Sequence, residues 1–316
     1  MSEESAATGS DGGSGEGAGA GGGGGVGGAP KKGGVFVSRL VSTLGLWALI
    51  TVAVLFSQEW LYLVIVELVV LISLAEYFRM ADLPRMGWRV WMVMGFAGFY
   101  LAGLFLVYSS DVWDQMALYV AFDGMVVVAL VLCLFVSEMV RAPEPGETVR
   151  RMAVGLLGFA WLVVMFGFVV KILLFGDGTA GVFLVVYLLV VTKFSDMGAY
   201  LVGSVVGKHP FMAHISPKKT WEGILGGLMF AVGGSFGVVA LFPEGSQFFS
   251  WSGAMIVGLI LGVVAVLGDL AESVVKRSLA IKDSGHVLPG IGGTIDLIDS
   301  ICFTAPVMYF LLLFTR

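Results

Sequence analysis

The sequence predicts an all-α protein: a polytopic transmembrane helical bundle behind a disordered Gly-rich N-terminal tail. Three observations predict it. From Ser38 onward the chain is a succession of apolar runs of about 20 residues, the length an α-helix needs to cross ~30 Å of hydrocarbon. Hydrophobic residues make up 58% of the chain and charged residues 13%, against about 25% charged in ordinary soluble domains. The basic residues gather on every second connection between runs. Open sheets cannot satisfy their backbone in lipid, so helices are the expected form.

Residues 1–34 are rich in Gly, Ser, Ala and Glu, with unbroken glycine from Gly21 to Gly25. Such a stretch has almost nothing to bury and is expected to be disordered. No apolar stretch follows a basic one within it, so it is not read as a secretory signal. Nine apolar runs follow, at 38–57, 60–79, 89–108, 117–139, 152–173, 180–205, 222–242, 251–279 and 295–315. The sixth and eighth are too long for a simple span and are expected to break or to extend past the bilayer. Residues 35–175 read as N-terminal transmembrane helices, and 176–316 as the transmembrane region that carries the chemistry.

With the N-terminus inside and nine crossings, the inner side holds fifteen of the 18 basic residues, in five groups of three. The outer side holds only Lys171 and Arg316, together with the acidic Glu59, Asp111, Asp114, Asp177 and Glu244, and Lys193 falls inside a run. This is the positive-inside pattern, and it places the connections 207–221 and 280–294 on one face, the cytoplasmic one. The protein is thus expected in the inner (plasma) membrane. Most Trp and Tyr residues of the early runs fall near span ends and read as interfacial anchors. Glu76 is expected to pair with Arg79, Glu67 to face another helix, and Asp123 to lie near the outer interface. Cys133 and Cys302 sit in apolar runs, without disulfide or metal-ligand spacing, and read as small buried hydrophobes. No basic stripe interleaves with aromatics, so nothing points to nucleic acid.

Two blocks break the apolar pattern. In the first, Asp196 lies inside a run whose Gly198, Gly203 and Gly207 let a backbone or ligand come close. Lys208, His209, His214, Ser216, Lys218 and Lys219 follow in a loop, and Thr220 is a plausible N-cap before Trp221 and Glu222 open the next run. Cations and hydroxyls beside a helix N-terminus suit phosphate, and they equally suit a positive-inside loop. Neither GxxxxGK[ST] nor GxGxxG is present.

The second block, Gly268–Ser300, packs eight charged side chains between two very apolar segments. Charges near hydrocarbon are costly unless they pair, bind metal or bind a charged ligand. Asp269, Glu272 and Lys276 share one helical face at i, i+3 and i+7, with Ser273 and Arg277 close by. Asp296 and Asp299 share a face of the next helix, and Pro289-Gly290 and Gly292-Gly293 lie between. Carboxylate oxygens suit Mg²⁺ with substrate phosphates, and Lys and Arg suit the remaining phosphate oxygens. A buried ion-pair network, or ion or solute transport, fits the same residues.

At these blocks the sequence resembles the phosphatidate cytidylyltransferase (CDP-diacylglycerol synthase) family. Its C-terminal signature is matched in register by Ser273, Lys276, Arg277, Lys282, Asp283, Gly285, Pro289, Gly290, Gly292, Gly293, Asp296 and Asp299, and its GDLxES element by Gly268 to Ser273. Asp196, Gly198 to Tyr200, Gly207 to His209 and Ser216 to Gly223 match upstream. Ile291 stands where the family usually has His, and Leu297 where it has Arg. The resemblance implies transfer of CMP from CTP to phosphatidate at the cytoplasmic leaflet, giving CDP-diacylglycerol and diphosphate, with Mg²⁺ as cofactor. It implies Asp269, Asp296 and Asp299 as metal ligands, and Asp269, Lys276, Arg277, Lys282 and Asp283 as the catalytic group, whose cations hold the CTP phosphates. Asp196, Ser216, Lys218, Lys219, Glu222 and Ser273 are implied for substrate binding. A homodimer is left open. The alternatives are a CTP-dependent polyprenol- or phytol-kinase-like enzyme, a transporter, or an inactive relative.

Overall fold

A computed structural model describes residues 59–81, 86–108, 115–140, 142–175, 178–242, 245–281 and 293–314. The predicted tail and first run, Lys282, Asp283 and the Gly-rich connection around Pro289 lie outside them. Among the described residues eight helices are long and apolar enough to cross a membrane. They are α1 Glu59–Met80, α2 Arg89–Tyr108, α3 Gln115–Met139, α4 Glu147–Leu173, α5 Gly178–Val206, α6 Trp221–Leu241, α7 Trp251–Ser278 and α8 Ile295–Phe314. They coincide closely with the second to ninth predicted runs.

The two over-long runs are unbroken helices of 29 and 28 residues. At 1.5 Å per residue both exceed the ~30 Å hydrocarbon core, so their polar ends reach beyond it. The irregular helix is α4 instead, where Phe159–Met165 is π-helical. The wider turn lies where Tyr77 of α1 packs edge-on against Trp161, with ring centroids 6.3 Å apart. Gly158 leads into it, and a Cβ there would come within 2.6 Å of the Tyr77 ring.

The first four helices pack through the buried rings of Tyr77, Tyr100, Phe122 and Phe159. Several of their charges are paired within the bundle. Glu138 receives Arg89 at 2.7 Å and Arg151 at 2.9 Å, and Arg89 also donates to the Ser137 carbonyl at 2.9 Å. Asp123 takes Lys171 as its ion partner and a hydrogen bond from the Tyr100 hydroxyl at 3.0 Å. Glu67 faces α2, where a Cβ on Gly98 would meet its carboxylate at 3.0 Å. The Glu76–Arg79 expectation is corrected. Arg79 is exposed and Glu76 is buried, because Glu76 turns inward and accepts from the Ile295 amide at 3.1 Å, at the start of α8.

The last four helices pack sequentially, α5 on α6, α6 on α7 and α7 on α8. Small residues set the distances. A Cβ on Gly198 would lie 2.8 Å from the Gly226 carbonyl, and one on Gly223 would lie 2.9 Å from the Ala199 carbonyl. Backbone therefore rests on backbone between α5 and α6, the close approach that drives helix association in lipid. Cys302 is buried in the apolar core and Cys133 is half-buried.

Candidate active site

The acidic stripe of α7 and the acidic face of α8 are brought together by one small residue. A Cβ on Gly268 would meet the Ser300 Cα at 2.8 Å and the Asp299 carbonyl at 3.0 Å. The helices touch there through their backbones, so Asp269, the next residue, is held beside Asp299. Asp269, Glu272 and Asp299 each present a carboxylate oxygen to a common point, with these atoms all within 4.8 Å of one another. Asp299 and Glu272 are buried, while the Asp269 side chain is 43% exposed and forms the open side.

Asp296 adjoins that group, its carboxylate against that of Glu272. One of its oxygens accepts from Lys276 at 3.0 Å, the other from the Gly293 amide at 3.1 Å. Lys276 also reaches Glu272 at 2.9 Å, so a single ammonium spans the two helices. The carboxylates that meet at one point are thus Asp269, Glu272 and Asp299, with Asp296 joined to them both directly, through Glu272, and through Lys276.

Two further lysines surround the acids. Lys219 pairs with Asp269 at 2.8 Å. Lys193 pairs with Asp196 at 3.1 Å and lies within electrostatic range of Asp299 and Asp269. Asp196 also accepts from the Ser300 hydroxyl at 3.4 Å, which ties α5 to α8. Three acids crowded this closely repel one another, and ammonium groups offset that repulsion on three sides.

The loop 207–220 is folded over this end of the bundle. Thr220 is the N-cap of α6, its hydroxyl accepting from the Gly223 amide at 3.1 Å, as the sequence predicts. Glu222, in the first turn, accepts from the Lys208 and His209 amides at 3.1 and 3.2 Å and bonds the His209 ring at 2.5 Å. The Phe211 amide donates to the Lys219 carbonyl at 2.8 Å and the Trp221 amide to the His209 carbonyl at 3.0 Å. Glu222 thus shapes the loop. Arg277 donates to the Ile215 carbonyl at 3.3 Å, fastening α7 to the same loop. Lys218 is exposed, Ser216 and Ser273 are half-buried, and the Ser216 amide donates to the Met212 carbonyl at 3.0 Å.

The structure therefore brings Asp269, Lys276, Asp296, Asp299, Asp196 and Lys219 into one region. It sets Arg277, Ser216, Lys218 and Glu222 in or against the loop above it. The sequence puts Glu272 on the Asp269 face by its i+3 spacing, but the resemblance does not imply it as a metal ligand. Lys193 was legible only as a lone charge in an apolar run. Leu297 packs against the apolar core.

Comparison with known proteins bears on this site. A model of the cytidylyltransferase family matches residues 37–315. A phosphatidate cytidylyltransferase of Mycobacterium bovis is 31% identical over 259 residues, covering 80% of each chain. One of Helicobacter pylori is 34% identical over 268 residues, covering 82% of this chain and 94% of the relative. One of Bacillus subtilis is 41% identical over 134 residues, covering 42% of this chain and 48% of the relative.

Proposed function

The chain belongs to the cytidylyltransferase family, and on that footing we propose that it is a phosphatidate cytidylyltransferase, an integral membrane nucleotidyltransferase that joins CMP from CTP to a lipid phosphate. The observation that carries the proposal is the convergence of Asp269, Glu272 and Asp299 between α7 and α8, ringed by Lys193, Lys219 and Lys276. Both reactants are polyanions, so the main physical obstacle is charge, and this site concentrates the groups that manage charge.

In the reaction an oxygen of the phosphatidate phosphate attacks the α-phosphorus of CTP. The new phosphorus–oxygen bond forms as the bond to the β-phosphate bridging oxygen breaks, and that oxygen leaves with diphosphate. A phosphate dianion is already nucleophilic near neutral pH, so no strong general base is required. Lys276 and Lys219, with ammonium groups beside the cluster, hold phosphate oxygens and reduce the repulsion between the reactants. Arg277 and the loop 207–220 wall the approach, and Lys218 and Ser216 offer the lipid phosphate a cation and a hydroxyl. Asp196 keeps Lys193 aimed at the acids.

The donor set fits Mg²⁺. All three converging groups are hard carboxylate oxygens, one of them open to incoming phosphates, and Mg²⁺ characteristically takes one or two carboxylates plus substrate phosphates. Asp269, Asp299 and Glu272 would hold it, with Asp296 beside Glu272 and Lys276 at the edge of the set. When bound, such an ion polarises the α-phosphoryl group and offsets charge on the leaving diphosphate.

The positive-inside pattern supports an inner-membrane location with the site facing the cytoplasm. A homodimer is part of the proposal, to be tested by cross-linking in native membranes. The deciding experiment is incubation of the purified protein with labelled CTP and phosphatidate, with and without Mg²⁺, followed by lipid extraction. Mg²⁺-dependent label in a CDP-lipid, with release of diphosphate, is expected. Release of CDP with phosphorylation of a lipid alcohol would point to a kinase instead, and absence of any labelled lipid would overturn the assignment.

A further inference from the structure

We infer that Glu76, on α1, is a positioning residue for the cation centre, acting through α8. It lies 219 residues from its partner in sequence and outside both motif blocks. The residue is 2% exposed, and its carboxylate accepts from the Ile295 amide at 3.1 Å, with the Thr294 amide also against it. The first amides of a helix have no partner within it, and a carboxylate there is favoured by both hydrogen bonding and the helix dipole. Glu76 therefore caps α8 from another helix and fixes where α8 begins along its axis.

That axial position matters because α8 has little slack. Its next turns carry Asp296, held by Lys276 and the Gly293 amide, and Asp299, one of the three converging carboxylates. Beyond them the Ser300 backbone is pressed against Gly268. A slide or tilt at Ile295 is passed directly to Asp299 and opens the cluster on one side. The helices ahead of the motif blocks thus contribute to the site by setting the register of the helix that bears it.

The inference rests on the acid cluster being the cation-binding centre, and its test reads cation binding apart from turnover. Wild-type, Glu76→Ala, Glu76→Gln and Leu74→Ala proteins are purified in detergent. Thermal unfolding is followed against Mg²⁺ concentration, and hydrogen exchange is followed in peptides covering residues 293–300. Leu74 lies on the same helix, is fully buried and packs beside Gly158, so its truncation loosens the fold without touching α8's cap. Glu76→Ala is expected to raise both the Mg²⁺ midpoint and the exchange rate of 293–300 by about tenfold, the loss of a cap. Glu76→Gln keeps an oxygen acceptor and is expected to stay within about threefold on both readings. Leu74→Ala is expected to lower the melting temperature and leave the midpoint unchanged.

Wild-type exchange and midpoint in Glu76→Ala would overturn the inference, as would an equal midpoint shift in Leu74→Ala. A wild-type protein with no Mg²⁺-dependent stabilisation would overturn it together with the cation role. A wild-type protein that binds Mg²⁺ but makes no CDP-lipid would overturn the assigned reaction alone, leaving the Glu76 result to stand.

Discussion

Replacing Gly268 with alanine adds one methyl group where α7 and α8 meet. That methyl would sit 2.8 Å from the Ser300 Cα, 3.0 Å from the Asp299 carbonyl and 3.2 Å from the Phe303 ring. Carbon atoms in contact rest at about 3.5–4.0 Å, so the helices must part by roughly 1 Å. Two of the three obstructing atoms are backbone and cannot rotate away. Overpacking of this kind costs about 1–3 kcal/mol, and alanine's better helix propensity returns about 1 kcal/mol. The net change in stability is about 0–2 kcal/mol. Activity should fall far more, because a displacement of about 1 Å in a reacting array costs on the order of a hundredfold. Asp269 and Asp299 are the residues pushed apart. The assay is CTP-dependent formation of labelled lipid by purified protein, alongside thermal unfolding. Gly233→Ala is the control, since nothing lies within 4 Å of a Cβ built there, and it should behave as wild type. Turnover by Gly268→Ala within about twofold of wild type would refute the claim that this contact sets the carboxylate geometry.

Asp299→Asn should lower CTP turnover by at least about a hundredfold, the scale for removing one preorganised electrostatic group, and should abolish Mg²⁺-dependent thermal stabilisation. Retention of both would remove Asp299 from the centre. Lys276→Met leaves the buried Glu272 without the ammonium at 2.9 Å and Asp296 without the one at 3.0 Å. Breaking a pair of this burial costs about 3–5 kcal/mol, visible as a lower melting temperature, and an undiminished one would contradict the pairing. Glu138→Gln should destabilise by a similar amount, about 3–5 kcal/mol, because Arg89 and Arg151 stay buried against it, yet the Mg²⁺ midpoint of the surviving protein should not move. Glu222→Gln should speed tryptic cleavage at Lys208 and Lys218, since Glu222 anchors the Lys208 and His209 amides. An unchanged cleavage rate would show that the loop is held by other contacts.

Most of the bundle was legible before any coordinates. The length of each apolar run is set by the bilayer, so α1 to α8 fall where hydropathy puts them, and Thr220 announced itself as an N-cap by its chemistry. What a single chain's pattern does not carry is the interior of α4. A π-helical turn has the same composition as an α-turn, and it depends on how Tyr77 meets Trp161. The α7 stripe was readable as a face, but which carboxylate of α8 would join it was not. Asp296 and Asp299 share that face, and which of them meets both Asp269 and Glu272 at one point depends on where Gly268 stops the approach. Glu76 was assigned to its sequence neighbour Arg79, because local spacing is all a sequence offers, whereas a contact across 219 residues appears only in three dimensions.

The three lysines around the acids have a consequence for the resting protein. A nest of carboxylates at the edge of hydrocarbon would strain apart without a counter-ion, and Lys193, Lys219 and Lys276 supply one from within the chain. The cluster's charge is therefore balanced by the chain's own side chains. Lys219, which hangs from the loop and grips the exposed Asp269, is the tether an arriving polyphosphate has to compete with. Polyphosphate binding at the acid cluster and the freedom of the loop above it are in this way two readings of one equilibrium.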